Sequence, residues 1–136
     1  MPKFIGIDFG LKRIGVAITD ELNIIASPYD TVETNNIYIF LKELLGNENI
    51  KKLIIGNPIN LDNSLNSISK EISDFTKSFS SLYSDVEIIH IDERFTSKMA
   101  KRAILASGVN KKRRQDKKLV DKISATIILQ TYLNQL

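Results

Sequence analysis

A chain of 136 residues with 43% hydrophobic and 26% charged side chains has the composition of a globular protein, and its length predicts one domain, 1–136, with a core of its own. The net charge of +3 is modest, and the absence of cysteine excludes disulfides and thiolate metal sites and fits a reducing compartment. No apolar run approaches the roughly 20 residues that span a bilayer, and Met1-Pro2-Lys3-Phe4 leads straight into a strand pattern without a visible signal segment, so the expectation is a cytoplasmic protein with no membrane partner, a monomer or weak dimer.

Residues 3–8 and 13–19 are rich in Ile, Val and Phe and predict two strands. The turn Asp20-Glu21-Leu22-Asn23 leads to a third, about 24–32, whose Pro28 suits a sheet edge because proline cannot donate to the ladder. Connections this short require antiparallel pairing. The period then changes: Ile37, Phe40, Leu41 and Leu44 fall at helical spacing, with Gly46 as the expected stop. Lys52-Leu53-Ile54-Ile55-Gly56 reads as a buried strand, which a helical crossover would set parallel to the first. A helix over about 64–83 carries Ile68, Ile72, Phe75, Phe79 and Leu82 on one stripe, a core face. The strand 86–92 follows, then a helix capped by Thr96 or Ser97 and ending near Gly108. A last helix, about 117–134, carries Leu119, Ile123, Ile127 and Leu133. The order points to an α/β fold: a mixed five-stranded sheet, three antiparallel strands then two parallel, flanked by helices.

Against this frame, Asp8 stands out. It sits near the end of an apolar strand between Gly6 and Gly10, where an ionised carboxylate is costly without a cation or hydrogen bonds to compensate. Asp92 and Glu93 end the last strand, and Asp121 lies in the first turns of the last helix. Strands one and five deliver their acids to the carboxyl end of the parallel strands, where ligands gather in open α/β sheets. Asp121 joins them if the last helix packs across that end. Carboxylates held together repel unless a cation sits between them. Hard oxygen donors favour Mg²⁺ or Mn²⁺, and two such ions can activate water for phosphodiester cleavage.

The charge map supplies a partner for that chemistry. From Arg94 to Lys122 the chain carries eleven Lys or Arg against two Asp, whereas residues 1–93 carry eight basic and fourteen acidic side chains. A cluster of that kind neutralises phosphates and releases counterions. Lys12, Arg13, Arg94, Lys111, Lys112, Arg113, Arg114, Lys117 and Lys118 are the candidate nucleic-acid contacts. Each feature also has a plainer reading. Asp8 could accept turn amides, Asp92 and Glu93 could pair with Arg94, and Asp121 is favourable near a helix start in any case. His90, alone in an apolar strand, reads as a satisfied core residue.

Four blocks in order, FIGIDFGLKRIGVA, GNPINLD at 56–62, HIDERFTS at 90–97 and KKLVDKISATIILQTYL at 117–133, resemble the YqgF family. Its members are assigned as pre-16S rRNA nucleases related to Holliday-junction resolvases. The resemblance covers essentially the whole chain and implies an RNase H-like fold, with Asp8, one of the pair Asp92 and Glu93, and Asp121 forming a metal-binding nuclease site. Adjacent strand residues face opposite ways, so only one of the pair is expected at the metal; the resemblance to the resolvase branch favours Glu93.

Three classes of function are thus in view. The first is a metal-dependent endonuclease on structured RNA, in maturation of ribosomal precursors, with branched DNA as the alternative substrate. The second is a nucleotide-binding protein, because a strand–Asp–Gly–hairpin also opens the actin and sugar-kinase superfamily. That architecture closes a second domain over its nucleotide, and 136 residues do not supply one. The third is a silent RNA-binding factor in transcription or ribosome assembly, which accounts for the basic run but not for the acids.

Overall fold

The computed structural model describes residues 2–57, 67–92 and 116–136. Strand β1 (Lys3–Phe9) turns back into β2 (Arg13–Thr19), and β2 into β3 (Ala26–Glu33), all antiparallel. A short 3₁₀ turn, Thr34–Asn36, leads into helix α1 (Ile37–Asn47), which carries the chain to β4 (Ile50–Asn57), parallel to β1. Helix α2 (Ser67–Leu82) precedes β5 (Glu87–Asp92), parallel to β4, and helix α3 (Lys117–Asn134) closes the chain. The sheet order is β3-β2-β1-β4-β5. This is the mixed sheet that the alternation of periods predicts, with β3 and its Pro28 at an edge. The expected helix between residues 96 and 108 and the segment 58–62 lie outside the described residues.

Alternation along the strands sorts side chains onto two faces. Ile5, Ile7, Phe9, Ile14, Val16, Leu53 and Ile55 meet Ile37, Leu41 and Leu44 of α1 and Ile72, Phe75 and Phe79 of α2. Each such burial contributes about 1.5–3 kcal/mol relative to exposure. On the opposite face Phe4, Ala17 and Ile54 meet Ala125, Ile128, Leu129, Tyr132 and Leu133 of α3. No helix among the described residues is long and apolar enough to cross a membrane.

The structure revises several details of the sequence reading. Strand β3 begins at Ala26, not Ile24, because the Asp20 carboxylate accepts from the amides of Ile24 (2.8 Å) and Ile25 (3.1 Å), holding both in the turn. Asn23 adopts the left-handed conformation there (φ 56°). Gly46 is not a stop: α1 runs through it to Asn47, and the extended Glu48 ends it. Leu82 is exposed at the end of α2, and the core contact there is made by Phe79 and, partly, Tyr83. His90 is not a core residue either, since it lies exposed on the outer strand β5.

The largest revision concerns α3. Its buried face is Ser124, Ala125, Ile128, Leu129, Tyr132 and Leu133; of the expected stripe Leu133 belongs to it, while Leu119, Ile123 and Ile127 are only partly buried. Two sheet glycines account for the difference. A Cβ on Gly6 would stand 2.7 Å from Leu129 Cβ and 3.1 Å from the Ala125 carbonyl oxygen, and one on Gly15 would collide with the Asp121 carbonyl. The helix backbone thus lies directly on β1 and β2, and small residues make the contact where a hydrophobicity pattern looks for large ones.

Candidate functional site

Asp8 lies near the carboxyl end of β1, half-buried, in register with Gly15 of β2. Because the Asp121 carbonyl rests where a Gly15 side chain would be, the start of α3 is pinned beside the register partner of Asp8. Two acids 113 positions apart in sequence are thereby brought to one end of one sheet face. Asp116 caps α3 by accepting from the Lys118 amide at 3.0 Å, so the helix has a fixed start. The Thr31 hydroxyl donates to the Lys118 carbonyl at 2.6 Å, tying that start to β3.

Asp121 is not solitary. Arg13, two residues before Gly15 on the same face of β2, donates from Nε to Asp121 Oδ2 at 2.8 Å. Their side chains keep 32% and 21% of their exposure, so the pair is partly shielded from water. A residue expected to touch substrate and a residue expected to touch metal therefore touch each other. Arg13 also borders an open groove of about 440 Å³, with Lys12, Lys118, Thr31 and Glu33 among its other walls. The basic residues outnumber the single acid there, so the groove suits an anion. Lys117 is exposed at the first position of α3.

On the far side of β1, Asn57 of β4 is in register with Asp92 at the end of β5. Ile89 and Ile91 pack partly against the α3-side cluster, the face that also carries Asp8. Glu93, Arg94, Lys111, Lys112, Arg113 and Arg114 lie outside the described residues. His90 Nδ1 is 3.1 Å from Asn57 Oδ1, and desolvation pulls its pKa below the ordinary 6.5.

Among the described residues no group of three or more His, Cys, Asp or Glu is placed to hold a metal. What they do offer is a pair of hard oxygen donors, Asp8 and Asp121, which fits a magnesium-like ion rather than a thiophilic one. Ser124 adds a second observation that sequence reasoning missed. It is buried one turn beyond Asp121, and its hydroxyl has no hydrogen-bond partner. A serine in an apolar helix gives no sequence signal of this kind.

The family model described as "RuvX: Holliday junction resolvase" matches residues 2–135. A Flavobacterium johnsoniae protein named "Putative pre-16S rRNA nuclease" is 44% identical over 134 residues, 98% of this chain and 97% of that protein. A Bacteroides fragilis protein of the same name is 41% identical over 133 residues, 98% and 96% of the two chains. Among solved structures, Thermus thermophilus RuvC in complex with a Holliday junction substrate superposes with a TM-score of 0.63 at 15% identity, covering 99% of this chain and 95% of that one. The Fowlpox virus resolvase, in complex with Holliday junction DNA, gives 0.60 at 16% identity, covering 98% and 97%. At such identities these two likenesses concern the fold.

Proposed function

The chain belongs to the RuvX Holliday junction resolvase family, and from that premise we propose that it is a nuclease, a metal-dependent endonuclease that cleaves structured RNA in the 5′-end maturation of precursor 16S rRNA. The observation that carries the reading is the placement of Asp121 over Gly15, beside Asp8, next to a basic groove. The name shared by its relatives at 41–44% identity supports the ribosomal precursor as substrate. The family description, together with the Holliday junction complexes of the two fold relatives, supports branched DNA as the second reading.

Asp8, Asp121 and Glu93 would hold the divalent cation, Mg²⁺ or Mn²⁺. Of the two adjacent acids, Glu93 is preferred to Asp92 on the resemblance to the resolvase branch. When bound, the cation lowers the pKa of water and stabilises the leaving oxygen. The chain's own residues do the rest. Arg13 fixes Asp121 through Oδ2, so the carboxylate is oriented before any substrate arrives. Lys12 and Lys118 line the groove and suit a phosphate backbone entering it. Arg94, Lys111, Lys112, Arg113, Arg114 and Lys117 extend that basic tract in sequence, and their charges would add counterion release to the affinity.

The test is cleavage of precursor 16S rRNA and of a four-way DNA junction side by side, with Mg²⁺ or Mn²⁺, by the wild type and Asp8→Asn. Cleavage of the precursor alone, abolished in Asp8→Asn with binding retained, is the expected result. Undiminished cleavage by Asp8→Asn would sink the site assignment, and preference for the junction would move the substrate to DNA. A silent RNA-binding factor would instead bind without cutting, and Asp121→Asn would change nothing.

A further inference from the structure

Two polar residues are buried in the described structure, Thr19 and Ser124. The Thr19 hydroxyl is fully used, accepting from the Phe4 amide at 2.9 Å and donating to Asn23 Oδ1 at 2.6 Å. Ser124 Oγ has no partner at all. A helical hydroxyl has a simple remedy, a bond to the carbonyl four residues back. Thr76, Thr126 and Thr131 each take it, at 2.8, 2.7 and 2.7 Å. Ser124 does not. A buried hydroxyl left without a partner is destabilising and calls for a cause.

Its place in the helix suggests one. The α3 backbone touches the sheet at Gly15 through Asp121 and at Gly6 through Ala125. Asp8 is the register partner of the first glycine and lies two residues beyond the second on the same face. Ser124 belongs to the helical turn between these two contacts and is three residues from Asp121, on the same helix face. We propose that the Ser124 hydroxyl is a positioning group for a hydrated divalent cation held by Asp8 and Asp121. This rests on the nuclease reading and adds to it a neutral residue that tunes the acidic centre from the side of α3.

The experiment is calorimetric titration of the full chain with Mn²⁺, alongside thermal melts in metal-free buffer, for the wild type, Ser124→Ala, Ser124→Cys and Asp8→Asn. The wild type binds Mn²⁺ and Asp8→Asn does not. Ser124→Ala melts at or above the wild type, because an unsatisfied polar atom is removed, yet its Kd for Mn²⁺ rises roughly tenfold, the scale of lost outer-sphere support. Ser124→Cys fills the same space with a poor donor and loses affinity as Ala does. Wild-type affinity in Ser124→Ala or Ser124→Cys, with Asp8→Asn inactive in binding, overturns the Ser124 proposal and leaves the acidic centre standing. Wild-type affinity in Asp8→Asn, or no Mn²⁺ binding by the wild type, overturns the centre itself and this proposal with it.

Discussion

The carbonyl of Asp121 occupies the position that a side chain on Gly15 would need. Glycine at 15 is therefore a condition for the last helix to reach the first strand's acid. Gly15→Ala must push α3 off β2 or bend β2 away, and neither backbone can yield cheaply. Overpacking of this kind costs about 1–3 kcal/mol, and a collision of two main chains belongs at the upper end. Urea denaturation is expected to show that loss, with cleavage falling further than stability because Asp121 moves relative to Asp8. A variant of wild-type stability and activity would mean that α3 does not sit where it is described.

Gly46 is the converse case. It lies exposed within α1, and a Cβ there would meet nothing within 4 Å. Gly46→Ala should stabilise the protein by about 0.5–1 kcal/mol through helix propensity and a less flexible unfolded chain. A raised denaturation midpoint with unchanged cleavage is the expected outcome. The pair of substitutions separates a glycine that the fold requires from one that it merely tolerates.

That distinction also explains what could be read in advance. The position of Asp8 near the end of a buried strand was legible from the apolar run around it, and the element order followed from the change of period after residue 36. The face of α3 was not legible. Pattern reasoning weighs bulk, so it selected Ile123 and Ile127 and passed over Ser124 and Ala125, whose smallness lets the helix settle onto Gly6 and Gly15. The bond between Arg13 and Asp121 spans 108 positions and depends on that seating, so no local signal announces it. Gly46 misled for the opposite reason: a glycine suits a helix end, but α1 continues through it to Asn47.

The turn between β2 and β3 makes stability depend on acid. Amides of Ile25 and Ile24 donate to the Asp20 carboxylate and hold its pKa below the usual 3.8. A carboxylate with a depressed folded pKa contributes stability that is fully present above its unfolded value, and that contribution disappears as pH falls through the folded value. The wild type should therefore lose stability below about pH 4. Asp20→Asn keeps an acceptor oxygen but has no charge to titrate, so its melting temperature should fall less steeply over the same range. Parallel acid profiles for the two proteins would refute this role for Asp20.

Arg13 separates orientation from binding. Its pair with Asp121 is partly exposed, so breaking it should cost no more than about 1 kcal/mol of stability. Arg13→Gln is expected to melt within a few degrees of the wild type but to cut substrate far more slowly, because Asp121 loses the bond that fixes its carboxylate. Arg13→Lys keeps the charge without the planar Nε donor and should recover binding better than rate. If Lys restores kcat as fully as it restores Kd, Arg13 serves only as a positive charge.

The groove beside that pair gives the last test, and salt is its readout. Lys12 and Lys118 line it with Arg13, and each phosphate neutralised by a lysine releases condensed counterions, so affinity falls with salt in proportion to the number of such contacts. Lys12→Gln with Lys118→Gln should weaken nucleic-acid binding most at low salt and make the plot of log affinity against log salt shallower by about 1–2. Both lysines line the groove rather than the acidic centre, so kcat at saturating substrate should hold while KM rises. An unchanged slope would show that the substrate backbone runs elsewhere, and a fall in kcat without a change in slope would place the lysines at the reacting phosphate instead of along the approach to it.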